Sequence, residues 1–453
     1  MGAGTARGGA CLLISGNVRK NMEFVVFAGV LLLLFIFMIV QELIQTKNQE
    51  KLFKKYLREN YGKEPPKEYS LERFARLGSY LERHKEEKQL DDITWNDLGM
   101  DEVFRRIDRT YSAAGEEYLY YTLRNISCGR EAMEHLEEVV NWLQEQEDIK
   151  VRIQLLMKRL GHLGKYSLYD YLDNLDYLGE RSNRKIVLGN LLYLPFLLLL
   201  FVQPAMGTIG IVLCMLWHIM TYFREKKVIE PYIISFAYVL RLIDVCEELE
   251  KQKIPVYRRE LDELREVLKS LRELRRGSYW VMAGNQGKIG GNPLDILADY
   301  LRMILHLDIF QFNRMLEKLR KKTGQVETML AITGYLDMAI SVGGFRKSLE
   351  GYCIPKLEED TEKAFLHMKK GWHPLLSQPV KNSIRADRGI LLTGSNASGK
   401  STFLKMVAVN AVLAQTIHTC AAESYHAPIF QIFSSMALRD SMENGESYYI
   451  VEI

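Results

Sequence analysis

From Ile186 to Phe223 the chain carries no Asp, Glu, Lys or Arg, and this run constrains its fold more than any other feature. It is long enough for two membrane-spanning helices, with Gln203-Pro204-Ala205-Met206-Gly207 midway as the turn. Phe24 to Val40 is a second uncharged run, the length of one spanning helix. A buried core helix and hairpin would be the soluble alternative, but soluble helices rarely run so far without a charge, so membrane insertion is expected. The flanks set a topology. Arg181, Arg184 and Lys185 precede the hairpin, Arg224, Lys226 and Lys227 follow it, and the turn has no charge. Both ends of the hairpin are therefore expected inside. Lys47, Lys51, Lys54, Lys55 and Arg58 after the first run, against Arg7, Arg19 and Lys20 before it, point the same way. As a signal peptide the first run is too long and lacks a small-residue cleavage site, so it reads as an anchor. The expectation is a multi-pass cell-membrane protein with its C-terminal region in the cytoplasm.

One segment names a chemistry. Gly394-Ser395-Asn396-Ala397-Ser398-Gly399-Lys400-Ser401 completes the pattern G-x-x-x-x-G-K-[ST]. The apolar run Gly389-Ile390-Leu391-Leu392-Thr393 before it reads as a buried strand, and Thr402 to Gln415 has helical spacing at Leu404, Val407 and Ala411. Strand, loop and helix is the order a phosphate loop requires. Its glycines let backbone N–H groups turn inward around phosphate oxygens at a helix N-terminus, where the helix dipole favours negative charge. Lys400 is expected to reach the β- and γ-phosphates of ATP, with Ser401 ligating Mg²⁺ and Gly394 to Thr402 forming the nucleotide site.

The rest of the chain reads as helical. Arg130 to Leu160 places Met133, Leu136, Val140 and Leu143 at amphipathic spacing. Leu261, Leu264, Leu268, Leu271 and Leu274 repeat in a 3-4 pattern, either as a short coiled-coil seam between subunits or, as is commoner, a helix packed in its own domain. Gly277 ends that run, and Gly284, Gly287, Gly290 and Gly291 mark a loop. Lys63 to Lys67, with Pro65 and Pro66, reads as a linker. A length of 453 residues allows two or three domains. A net charge of +3, with 26% charged residues, gives no electrostatic preference for nucleic acid. Six scattered cysteines without a C-x-x-C pair fit reduced thiols in a cytosolic environment, with no disulfide framework or zinc site expected.

The residues around the loop resemble the ATPase domain of the MutS family. Gly371-Trp372-His373-Pro374-Leu375 looks like the His-Pro segment that opens that domain. Asp440 to Glu452, with Gly445 and Ser447, is similar to its signature stretch. Gly334-Tyr335-Leu336-Asp337-Met338-Ala339-Ile340-Ser341 matches the Leu-Asp-x-x-x-Ser helix leading from lever to ATPase, and Asp108-Arg109-Thr110 with Gly115 looks like the start of the helical core. The resemblance covers about Leu98 to Gly179 and Tyr335 to Ile453. It departs from the usual loop at Ser395, Ala397 and Ser398, where the family has Pro, Met and Gly, while Gly399-Lys400-Ser401-Thr402 is intact.

Together with the uncharged runs, the resemblance implies a multidomain chain: an all-α core and lever, into which the expected transmembrane helices are set, then an α/β phosphate-loop ATPase domain of the ABC type. The expected segments are 1–45 with the first span, a linker at 46–97, the first part of the core at 98–185, the hairpin at 186–223, the second part of the core and lever at 224–345, and the ATPase domain at 346–453. The family continues past the signature to a Walker B strand ending in Asp-Glu. A truncated copy is therefore expected, binding ATP but hydrolysing it slowly, with its catalytic carboxylates unassigned. In the family the signature of one subunit completes the other's site, so Gly445 and Ser447 would approach the γ-phosphate held by a partner's Lys400 in a homodimer. Mismatch-reading members carry a Phe-x-Glu wedge for DNA. The Phe223-Arg224-Glu225 of this chain lies at the end of an expected span and cannot enter a groove. The leading expectation is thus a membrane-anchored, ATP-binding MutS-like protein that closes as a dimer. The alternatives are a membrane-tethered DNA mismatch-repair or recombination factor and an ATPase subunit of a transport system. The last is disfavoured because the spans hold no intramembrane charge.

Overall fold

A computed structural model describes residues 36–436, apart from 39, 42–43, 65–68, 70, 87, 127–128, 164–166, 273–299, 360–363 and 396–398. The chain divides into two units, 1–60 and 61–453. In the first unit 44–60 is helical (α1). Most of the uncharged run from Phe24 to Val40 lies outside the described residues, as do the Gly-rich loop at 284–291, Leu274, and Pro65 and Pro66 of the linker.

The second unit is mainly helical with one small sheet. In order come α2 (Leu71–Arg83), α3 (Asp92–Leu98), α4 (Met100–Ile107), α5 (Ala113–Arg124), α6 (Arg130–Glu145), α7 (Glu147–Leu160), α8 (Leu168–Asp173), α9 (Arg184–Leu191), α10 (Tyr193–Val202), α11 (Pro204–Glu250), α12 (Arg258–Leu271), α13 (Leu307–Leu319), α14 (Thr323–Ser348), β1 (Lys356–Glu358), β2 (Leu366–Gly371), β3 (Asn382–Ala386), α15 (Lys400–Thr416) and β4 (Ser424–Pro428). Short polar side chains set several starts by accepting the first free backbone donors. Asp91 accepts from Thr94 N, Ser112 from Gly115 N, and Ser167 forms a capping box with Asp170. The single helix expected over Arg130 to Leu160 is two, broken at Gln146 (φ −98, ψ 67). An unbroken helix would carry Glu147 onto the buried stripe of Met133, Leu136, Val140 and Leu143; with the break Glu147 is exposed, and Val151, Ile153 and Met157 are buried.

The core is built around α14, which is buried nearly all round from Val326 to Arg346 and packs against α4, α5, α6, α7, α11 and α12. Its approach to α5 is close. A Cβ added at Gly334 would stand 2.6 Å from the Ala114 carbonyl oxygen, so only glycine fits there. In α12, Leu261, Leu264, Leu268 and Leu271 are all buried, which makes their 3-4 spacing a seam within the fold.

Among the described residues three helical segments are long and apolar enough to cross a membrane: Arg184–Val202, Pro204–Glu250 and Thr323–Ser348. Burial separates them. In α14, 83% of the apolar window is buried, against 6% and 22% in the other two. The α14 segment is therefore a core helix, and the exposed pair is the hairpin of α9, α10 and α11. Its turn is tighter than the five residues expected. Gln203 alone leaves helical geometry (φ −136, ψ 85), and Pro204 opens α11, because proline at a first helical position loses no hydrogen bond. Helix α11 then runs on past Phe223 and through Pro231. Leu213, Leu216, Met220 and Phe223 are exposed in its first half, while Ile233, Phe236, Val239, Leu240 and Ile243 are buried in its second.

The sheet is mixed, in the order β1-β4-β2-β3. Strand β1 runs parallel to β4 (Lys356 opposite His426), and β2 is antiparallel to both β4 (His367 opposite His426) and β3 (Leu366 opposite Ala386). The strand expected at Gly389 to Thr393 is not formed: these residues have no regular structure. An apolar run becomes a strand only where a neighbour supplies backbone partners. Among the described residues no strand pairs with it, and Leu391 is 89% exposed.

Candidate functional site

The phosphate-loop residues stand at the N-terminus of α15. Gly399 adopts the left-handed conformation (φ 83) and caps the helix, with open space where a Cβ would lie. That backbone turn brings the chain round so that Lys400 folds back over its own loop. The Lys400 ammonium donates to the carbonyl oxygens of Gly394 at 2.7 Å and Ser395 at 2.6 Å. Ser401 and Thr402 follow in the first helical turn, both exposed. Asn396, Ala397 and Ser398 lie outside the described residues, as do the signature residues Gly445 and Ser447. The described part of the loop fits a polyphosphate, combining the positive end of a helix dipole, the N–H groups of its first turn and an ammonium already turned toward the loop. Ser401 Oγ would supply one oxygen to Mg²⁺, leaving phosphate and water oxygens to complete its shell.

The burial phase of α15 differs from the expected stripe. Leu404 is 43% exposed and Val407 half-buried, whereas Met406, Val409, Asn410 and Leu413 are buried. The helix thus has an exposed, polar entry and an apolar end sunk in the fold. Polar side chains fasten the sunk end. Asn410 donates to the Trp372 carbonyl at 3.0 Å and accepts from Ala421 N at 2.7 Å. Gln415 bonds both the N–H and the carbonyl of Phe430, each at 2.9 Å. The resembling His-Pro segment is part of this support: Trp372 and His373 are buried, and burial, aided by the Lys405 charge, lowers the His373 pKa.

At its C-terminus α15 meets Arg346, the last buried residue of α14. The guanidinium donates to Thr419 Oγ1 at 2.8 Å, to the carbonyls of Ile417 (3.3 Å) and His418 (3.0 Å), and in a fork to Glu137 Oε1 and Oε2 of α6 at 3.0 and 2.8 Å. A cation at a helix C-terminus meets the negative end of the dipole and its free carbonyls. One side chain therefore joins α14, α15 and α6. Sequence reasoning missed it. The available signal was an Arg closing the uncharged run Met338 to Phe345, a charge that burial obliges to find a partner.

Two motifs read separately in the sequence meet in space. Asp337 and Ser341, one turn apart on α14, grip the loop that carries Asp108-Arg109-Thr110 into α5. Asp337 accepts from Tyr111 N at 3.0 Å, Ser112 N at 2.9 Å and Ser112 Oγ at 2.6 Å. Ser341 Oγ accepts from Arg109 N and donates to the Ile107 carbonyl, both at 2.8 Å. Asp108 bonds Thr110 N at 2.9 Å and accepts from the Tyr69 hydroxyl. These carboxylates tie α14 to the loop before α5. Among the described residues no group of three or more His, Cys, Asp or Glu is placed to hold a metal ion.

A profile described as MutS domain V matches residues 390–453. The DNA mismatch repair protein MutS of Acholeplasma laidlawii is 32% identical over 148 residues, covering 31% of this chain and 17% of that protein. The protein of the same name from Leptospira interrogans is 30% identical over 163 residues (33% and 19%), and that from Pelotomaculum thermopropionicum is 31% identical over 176 residues (35% and 20%). The matched stretch spans no more than 20% of the length of these relatives. Over the stretch that contains the G-x-x-x-x-G-K-[ST] pattern, this chain is similar to proteins of the MutS family.

Proposed function

We propose that this is a membrane-inserted MutS-family protein that binds MgATP through Gly394 to Thr402 and passes the bound state to its helical core. The observation that carries this reading is Lys400, turned by the left-handed Gly399 onto the carbonyls of Gly394 and Ser395 at a helix N-terminus. A polyphosphate would take over the ammonium from those carbonyls, and Ser401 would hold Mg²⁺. The far end of the same helix rests on Arg346, so a shift at the loop is delivered to α14 and α6. Gly445 and Ser447 would complete the site of a second copy, with closure of the homodimer as the response to ATP.

Affinity for ATP should fall about tenfold to a hundredfold in Lys400→Ala, the worth of one charge-assisted hydrogen bond to phosphate. Isothermal titration of both proteins measures it. Equal affinities would overturn the assignment of the loop.

The exposed apolar faces of α10 and the first half of α11 support insertion of the hairpin in a cell membrane, with the nucleotide site in the cytoplasm. Washing membranes in alkaline carbonate should leave the protein in the pellet. Release into the supernatant would mean that these faces are covered by protein. A second reading, favoured by the similarity to DNA mismatch repair proteins, is a membrane-tethered mismatch-repair protein that binds DNA. Binding to duplex DNA that weakens steeply with salt would favour it.

A further inference from the structure

We propose that Cys353 and Cys420 form an oxidisable pair, which a peroxide closes into an internal disulfide that ties the chain after α14 to the chain after α15. The two residues face each other in an antiparallel bridge outside the named strands. Cys353 N donates to the Cys420 carbonyl and Cys420 N to the Cys353 carbonyl, each at 3.0 Å. A pair that exchanges both backbone bonds has its Cα atoms about 5.5 Å apart, with both side chains on one face of the ladder. That spacing lies inside the range disulfides span, roughly 4.4–6.8 Å. The thiols already interact, and both are free.

Their surroundings differ in the way such chemistry requires. Cys353 is half-buried, so an oxidant reaches it, whereas Cys420 has no exposed surface. A hydrogen bond from the Cys420 thiol, with a further one from Tyr425 N–H, lowers the Cys353 pKa against the opposing effect of burial. Burial raises that of Cys420, whose Sγ also lies 3.5 Å from the Asn410 carbonyl. Cys353 is therefore the attacking sulfur and Cys420 the resolving one. The Cys353 thiolate attacks one peroxide oxygen. An S–O bond forms, the O–O bond breaks, and hydroxide leaves, giving a sulfenic acid. Hydroxide takes the Cys420 proton as the first water, the Cys420 sulfur displaces hydroxide from Cys353 so that the S–S bond forms as the S–O bond breaks, and that hydroxide takes up the proton Cys353 released on ionising as the second water. In sum two thiols and one peroxide give one disulfide and two waters. Thr419, the hydroxyl partner of Arg346, is the neighbour of Cys420, so the closed pair would lock the joint between α14 and α15.

The full chain treated with hydrogen peroxide, then alkylated and digested, tests this. Wild type should lose both thiols and give one Cys353–Cys420 linked peptide, reversed by dithiothreitol, with Tm raised by a few degrees. Cys420→Ser should stop at a dimedone-trapped sulfenic acid on Cys353, and Cys353→Ser should leave Cys420 as a thiol. Retention of both thiols in wild type, or linkage of Cys353 to any other cysteine, would overturn the proposal. The readout is the state of two sulfurs, so it is independent of whether nucleotide binds.

Discussion

Arg346→Ala should lower stability by about 3 kcal/mol and loosen the contact between α14 and α15. Removing one member of a buried, hydrogen-bonded ion pair costs about 3–5 kcal/mol because the other charge is left unpaired. The low end applies here, since the Arg346 side chain is fully buried while that of Glu137 is 20% exposed. The loss also strips a donor from the carbonyls of Ile417 and His418. Denaturant titration of the purified protein measures the difference, and a change below about 1 kcal/mol would show that the joint is solvated. In Arg346→Met combined with Glu137→Leu part of the loss should return, because no charge is then stranded. The pair also has a pH signature. Burial pushes the Glu137 carboxyl up, but the His418 imidazole 3.5 Å away and the Arg346 fork outweigh it and bring the pKa from the ordinary 4.5 to about 2. A folded pKa below the unfolded one contributes stability that is complete above pH 4.5 and is lost as pH falls through about 2. Glu137→Gln should flatten that part of the acid limb.

The second large effect is expected at Asp337. In Asp337→Ala the N–H groups of Tyr111 and Ser112 and the Ser112 hydroxyl lose a charged acceptor inside the core, where Ser112 is fully buried. Each stranded buried donor costs about 1–3 kcal/mol, and because the Tyr111 N–H is only partly buried the total falls in the low part of the summed range, about 3–5 kcal/mol. The entry to α5 should fray with it, since Ser112 is the N-cap of that helix. Asp337→Asn, which keeps one acceptor oxygen, should lose about half as much. Denaturation followed by the fluorescence of Trp95, buried in the same core, reports both variants. A loss below about 1 kcal/mol in the alanine variant would mean that water replaces the carboxylate.

The helical class, the hairpin and the helix that follows Asp108-Arg109-Thr110 could all be read from residues close together in the chain. Each is a local matter: apolar periodicity, the lack of charge from Ile186 to Phe223, and Asp108-Arg109-Thr110 followed by Gly115. Local patterns were misread where pairing or burial phase decided. Gly389 to Thr393 has the composition of a strand but no neighbour to bond, and Leu404 has helical spacing but faces outward. Composition alone could not separate α14 from the hairpin helices either. All three are long and apolar enough to cross a membrane, and only the packing of α14 among six other helices makes it core.

The sequence by itself determined where the G-x-x-x-x-G-K-[ST] pattern meets a helix and where the uncharged hairpin lies, because both follow from residues within a few turns of chain. Only the tertiary structure decided what those segments touch. Arg346 reaches Glu137 and Thr419, Asp337 reaches Ser112, and Cys353 faces Cys420 across wide gaps in the chain. Buried polar groups must find partners, but which partner each finds is set by how the helices stack, and no local pattern carries that choice.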